Sequence, residues 1–366
     1  MKQLIWWEWK LLWKQKLIYI MLVAILALLW ISKTYFPLSI EELNAFEEIQ
    51  NPITEKDVQE AREILVTEKF ELDSKVNVYY RIDEAQTLMD KQYTVINQLK
   101  ARPQTSAVEK EIKMREQVNT MYVEMTGYPI FLSEFLSGEG LIAIGILLLV
   151  GLYNLYARDH QTGMVQYTLT SKFGRSKLVQ AKLFVALFYT LVIYIGTVIF
   201  SVIFNVYRAG GHVNYWMYIT EGFNSPIQFH HSLSMSPYTF TLFEFLLIQL
   251  LFLLLGSICF SMICLSISSV TKNSFISFLF SMSIFFLPFL IVNLFNLLAE
   301  RGWIAKLFIY TIPYIMQTKH LFEAFHYMQI GNIVILAPFI ALALLIIIMI
   351  STIVFLKIYN KKWRYI

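Results

Sequence analysis

The chain has 366 residues, 57% of them hydrophobic and 15% charged, with a mean hydropathy of +0.55 and a formal net charge of +4. A soluble domain carries about a quarter charged residues, so this composition argues against an ordinary soluble enzyme and predicts a membrane protein. The basic balance does not point to nucleic acid: the Lys and Arg residues collect in short segments beside apolar runs, where anionic headgroups attract them.

Residues 1–16, MKQLIWWEWKLLWKQK, place Trp6, Trp9 and Trp13 at i, i+3 and i+7, with Lys10 and Lys14 on another flank. The pattern predicts an amphipathic helix lying in the bilayer interface, its tryptophans at headgroup depth. The alternative is a ragged start to the first span. Six runs are then long and apolar enough to cross a bilayer, near 17–36, 139–157, 183–206, 241–267, 275–298 and 333–356. The first reads as a span and not as a cleaved signal peptide, because no small-residue cleavage site follows Trp30-Ile31-Ser32-Lys33. The Lys/Arg bias of the short segments predicts a multi-pass protein of the cell membrane with both termini cytoplasmic. The only acids in its inner segments are Glu8 and Asp159.

Residues 37–138 form an insertion that this topology places outside the cell. Residues 37–137 hold nineteen of the chain's 26 acids against eleven Lys and Arg. Thr54-x-x-Asp57 and Ser106-x-x-Glu109 look like helix starts of the capping-box kind. Val78, Ile82, Ala85, Met89, Ile96 and Leu99 recur at helical spacing. The expectation is a helical domain, a two- or three-helix hairpin.

A second outer loop, 207–240, contains Gly210-Gly211 and His230-His231; adjacent histidines without a third ligand read as solvated loop residues rather than a metal site. Segment 299–332, broken by Pro313, is expected to form short helices dipping into the outer leaflet, and 357–366 a cytoplasmic tail. Cys259 and Cys264 fall in the fourth span and read as packing residues. Asn154, Gln249, Ser257, Ser261, Asn293 and Asn296 give the spans their polarity, read chiefly as helix–helix hydrogen bonding, with a polar substrate path as the alternative. No phosphate-binding loop, nucleophile elbow, zinc-protease motif or paired catalytic carboxylates can be found, so no cofactor and no catalysis are expected of this chain.

Between spans two and three lies ARDHQTGMVQYTLTSKFGRSKLVQAK, residues 157–182. Gly163 allows a turn, Met164, Tyr167 and Leu169 supply apolar contacts, and Arg158, Lys172, Arg175, Lys177 and Lys182 supply charge. The residues alone leave two readings open: a short helix on the inner membrane face that docks a cytoplasmic partner, or a basic loop that only sets topology.

The spacing resembles the permeases of type-2 ATP-binding-cassette (ABC) transporters. In those permeases an acid, then Gly-Thr, an apolar stretch, Pro, Ser-Arg and Lys mark the cytoplasmic loop before span three. Asp159, Gly163, Arg175 and Lys182 fall at matching intervals. Met164 stands in place of Thr, and Lys172 where Pro is common. The resemblance implies an all-α membrane protein of six spans that works with a second permease chain, identical or paralogous. ATP and Mg would be held by separate nucleotide-binding subunits. In that scheme segment 158–182 is the coupling loop, with Arg158, Asp159, Gly163 and Met164 in it. Tyr167 and Leu169 are groove contacts, Arg175 a polar anchor, and Lys182 snorkels at the start of span three. The aromatic, uncharged spans suggest export of a hydrophobic or amphipathic cargo, such as a peptide, antibiotic or lipid-like molecule. Two further readings stay open: a membrane sensor with a ligand-binding ectodomain, and an ion-coupled secondary carrier. The lack of ionisable residues at mid-membrane weighs against the carrier.

Overall fold

The computed structural model describes residues 2–31, 53–67, 74–118, 128–164, 174–208, 222–295 and 303–362. Among them five helical segments are long and apolar enough to cross a membrane: Tyr128–Gln161, Lys177–Val206, Leu242–Val270, Ser274–Leu294 and Ala337–Tyr359. The protein is thus a helical membrane protein. A sixth span requires helices α1 (Lys2–Trp13) and α2 (Lys16–Ile31) to count together, and they bend by 53° at their junction. At 1.5 Å per residue, α2 alone covers about 24 Å, short of a hydrocarbon core of about 30 Å.

Beyond α2 lie three helices rich in charge, α3 (Glu55–Thr67), α4 (Ser74–Lys100) and α5 (Ser106–Glu116). Helix α4 packs on both of its neighbours, so the described residues of the insertion form a three-helix unit. Its seam is the expected stripe: Ile82, Ala85, Met89, Ile96 and Leu99 are all buried, while the side chain of Val78 lies outside the described residues. Helix α3 starts as its sequence suggests. Thr54 N–H and Oγ1 both donate to Asp57 Oδ2, at 2.8 and 2.7 Å, and these bonds hold the Asp57 carboxyl below its ordinary range. Helix α5 is capped one residue earlier than expected. Thr105, not Ser106, accepts from the backbone N–H of Val108. The sequence offers Thr and Ser in succession, and the extended backbone of Thr105 decides between them.

The apolar segments follow. Helices α6 (Tyr128–Ser137) and α7 (Glu139–Leu152) meet at Gly138, so apolar helix begins well before residue 139, where the sequence suggested that span two starts. A turn at 153–156 leads into the short α8 (Ala157–Gln161). Helix α9 (Gly174–Arg208) is continuous through Lys182, which therefore sits on a helix and not in a loop. Helices α10 (Leu242–Val270) and α11 (Ser274–Leu294) come next. Then follow the short α12 (Trp303–Phe308), α13 (Ile312–Gln317) and α14 (Lys319–Phe322), a two-stranded hairpin of β1 (Tyr327–Ile330) and β2 (Ile333–Leu336), and α15 (Ala337–Lys362).

Helix α10 is the centre of the bundle, touching α7, α9, α11, α13 and α15. Gly256 lets α13 approach it closely: a Cβ there would fall 2.2 Å from Met316 Cγ. Polar groups on these helices find partners inside the bundle, as a dry bilayer demands. Ser133 Oγ donates to Gln249 Oε1 and Gln249 Nε2 donates to the Ser133 carbonyl, both at 2.8 Å. Thr190 and Ser261 share a short hydrogen bond between α9 and α10. Ser257 donates within its own helix, whereas Asn293 is exposed and Asn296 lies outside the described residues. The thiols of Cys259 and Cys264 are free and buried.

Three expectations are corrected at the far end of the bundle. Segment 299–332 does contain short helices, but residues 327–336 pair as an antiparallel hairpin turning at Gly331, whose φ is +61°. Residues 333–336, assigned to span six from their apolar run, are therefore strand, and helix α15 then runs past residue 356. A short β-branched run such as Ile-Val-Ile carries no period by which strand and helix can be told apart. His230, expected in solvent, is fully buried; its Nδ1 accepts from the Ser232 amide and its ring meets Phe245 edge-on. The side chain of His231 and the pair Gly210-Gly211 lie outside the described residues.

Candidate functional site

The turn at 153–156 is fastened from two sides. Ser268 Oγ on α10 accepts the backbone N–H groups of Tyr156 and Ala157, at 3.0 and 3.1 Å. Ser277 on α11 donates to the Tyr153 carbonyl at 2.7 Å, and Ser274 donates to Asn154 and Gln161. These bonds satisfy groups left orphaned where α7 stops. They also fix the direction in which α8 leaves the bundle. Gly163 ends α8 with φ at +72°, a conformation in which a Cβ is strained; this is the physical reason for glycine at that position.

Helix α1 presents Ile5, Glu8, Trp9 and Leu12, at helical spacing, to α9. Glu8 and Leu12 are buried. The three tryptophans separate accordingly. Trp6 is 58% exposed, but Trp9 lies against Phe188 with ring centroids 4.9 Å apart, and Trp13 meets Tyr189 edge-on at 5.8 Å. Trp9 and Trp13 thus pack against α9, whereas Trp6 and Trp7 are the exposed tryptophans of α1. The Trp6–Trp9–Trp13 stripe and the Ile5–Glu8–Leu12 stripe lie on adjoining faces, and apolarity alone does not show which of them packs on α9.

At the meeting point of α1, α8 and α9 sits Lys182, fully buried. It does not snorkel. Its ammonium lies 2.7 Å from Asp159 Oδ2 and 3.4 Å from Glu8 Oε2, donates to the Leu155 carbonyl, and stands 5.0 Å from the centre of the Tyr156 ring. Arg158 completes the group, 3.6 Å from Glu8 and 3.9 Å from Asp159. Two acids balance two bases. Without that balance a buried ammonium would carry several kcal/mol of unrepaid desolvation. Burial pushes the Glu8 carboxyl above its ordinary range, more than the neighbouring Lys182 and Arg158 pull it down.

Of the residues singled out in the sequence, the structure brings Arg158, Asp159 and Lys182 into one cluster and places Gly163 and the exposed Met164 at the end of α8. Tyr167 and Leu169 lie outside the described residues; Arg175 is in the first turn of α9, its side chain outside the description. Glu8 was missed. The sequence offered only that Glu8 and Asp159 are the two acids of the segments read there as cytoplasmic; their convergence on one lysine is visible only in the structure.

Chemically the cluster is a clasp. It joins residues 159 and 182 across the segment between them, and it ties that joint to the first helix. Among the described residues no three His, Cys, Asp or Glu side chains gather to hold a metal ion. No protein-family model, no curated protein and no solved structure matches the chain.

Proposed function

We propose that the chain is the membrane-spanning permease of an ATP-driven exporter of the type-2 ABC kind, with segment 158–182 as the element on which a separate nucleotide-binding subunit acts. One observation carries the reading. Asp159, Gly163 and Lys182, three positions on which the resemblance rests, fill two mechanical roles: Asp159 and Lys182 form an ion pair that closes the base of the segment, and Gly163 turns the chain at its entry. A loop that served only to set topology has no need of a buried clasp.

In this reading six spans cross the cell membrane, the first being the run 17–36, of which α2 is the described part, while α1 lies on the inner surface and both termini are cytoplasmic. Two permease chains, identical or paralogous, pair with two ATP-binding subunits that supply ATP and Mg. Cargo is hydrophobic or amphipathic. This chain contributes no catalysis; it receives a push on the segment and converts it into movement of α8 and α9, to which the clasp binds both ends.

The test is co-expression with the ATP-binding subunit and measurement of ATPase activity in the purified, reconstituted complex. The permease alone should hydrolyse no ATP, and the complex should. Replacing Tyr167 and Leu169 by Asp should abolish stimulation while leaving the thermal midpoint of the permease unchanged. Normal stimulation in that variant removes the docking role.

A further inference from the structure

Helix α1 has one acid, Glu8, and it is turned inward. Its exposed residues include Lys2, Trp6, Trp7 and Lys10, with the exposed Lys14 just past its end and the Lys10 ammonium 5.2 Å from the centre of the Trp6 ring. That set is cationic and aromatic, the pairing that suits an anionic lipid surface. The helix is neither a free anchor nor part of a straight span: it is bent 53° from α2 and held on α9. Its inward charge ends on the same ammonium as Asp159.

We propose that α1 is a lipid-reading lever. Anionic phospholipid headgroups engage its Lys–Trp face, and Glu8 transmits the position of the helix to the Asp159–Lys182 clasp, so that membrane charge sets how firmly α8 is held. The two halves of the device lie one helix-width apart. Outward Lys10 and inward Glu8 are two residues apart on opposite faces, so a tilt of α1 toward the lipid displaces the carboxylate that shares Lys182. The consequence for transport rests on reading segment 158–182 as the coupling element. The lever itself does not.

Hydrogen exchange on the full chain in nanodiscs tests it, comparing phosphatidylcholine with a phosphatidylcholine–phosphatidylglycerol mixture. Exchange of residues 2–13 should slow at least about fivefold in the anionic lipid, the effect of one lysine near such a surface. Residues 157–163 should slow with it. An identical rate in both lipids, or a response confined to 2–13, overturns the proposal. In Glu8→Ala the response of 2–13 should survive and that of 157–163 should vanish; if 157–163 still follows the lipid, Glu8 is not the link. Should Glu8→Ala fail to fold, the double variant K10Q/K14Q changes only exposed side chains, and both responses should disappear. Their persistence sinks the idea. No nucleotide-binding subunit is needed, so failure here and the absence of a stimulated ATPase are separate results.

Discussion

Lys182 sets the energetics at the scale of single residues. Its ammonium is out of water, and two carboxylates and one carbonyl hold it there. Lys182→Met removes the ammonium and leaves Glu8 and Asp159 in a dry site with Arg158 alone of the cluster's two bases. A cost of about 3–5 kcal/mol is expected, read as a fall in the unfolding midpoint in detergent. Adding Glu8→Leu should recover part of that loss, because the two side chains share one interaction and their costs are not additive. Glu8 also gives the fold a pH dependence. The charged and titratable groups facing it are Lys182, Arg158, Asp159 and Tyr156. Its carboxyl is raised above 4.5, so the folded chain binds its proton more tightly than the unfolded chain does. Stability contributed by the protonated form is full below 4.5 and falls as pH rises through the raised value. In Glu8→Gln the midpoint should be flat across that window; an unchanged slope would place the dependence in another group.

The helical elements differ in how far they could be read beforehand, and the physical reason differs in each. The insertion stripe was legible because Ile82, Ala85, Met89, Ile96 and Leu99 repeat at helical period against a polar background. The same test fails on α1, where eight of twelve residues are Ile, Leu or Trp and every face is apolar enough to be chosen. It fails again at 333–336, where a β-branched run is too short to show a period. Glu8 and Lys182 are 174 residues apart, and no local pattern encodes a contact of that range. What the insertion rests on was equally illegible. Arg115, buried, donates to Gln92 Oε1 at 2.6 Å and to the Met235 carbonyl at 3.0 Å, while Lys110 donates to the Val334 carbonyl at 3.0 Å. Replacing Arg115 by Ala strands both acceptors. It should loosen the insertion from loop 222–241 by about 2–3 kcal/mol, seen as faster proteolysis of residues 101–118 with the apolar bundle intact.

At the scale of the molecule, α10 separates two polar regions. Its capped start at Thr241 adjoins the loop that carries Ser234, Ser236 and Met235, against which the insertion docks. Near its other end Ser268 holds the turn that feeds the charge cluster. The rise of the helix from Thr241 to Ser268 places these about 40 Å apart. No side chain bridges that distance, so communication between them must pass through rigid helices, α10 and the α9 that packs on it. A transporter and a sensor use this geometry in opposite ways. In a transporter the charge cluster is the input, and the insertion at most shapes the exit path. In a sensor the insertion is the input. Deleting residues 53–118 removes α3, α4 and α5 but touches no member of the Glu8–Asp159–Lys182 cluster. The proposed function therefore expects the deletion variant to stimulate the ATPase of its partner in the absence of cargo as the full chain does, with cargo dependence altered. Loss of all stimulation, in a variant whose bundle still unfolds at the normal midpoint, would make the insertion the input and the sensor reading the better one.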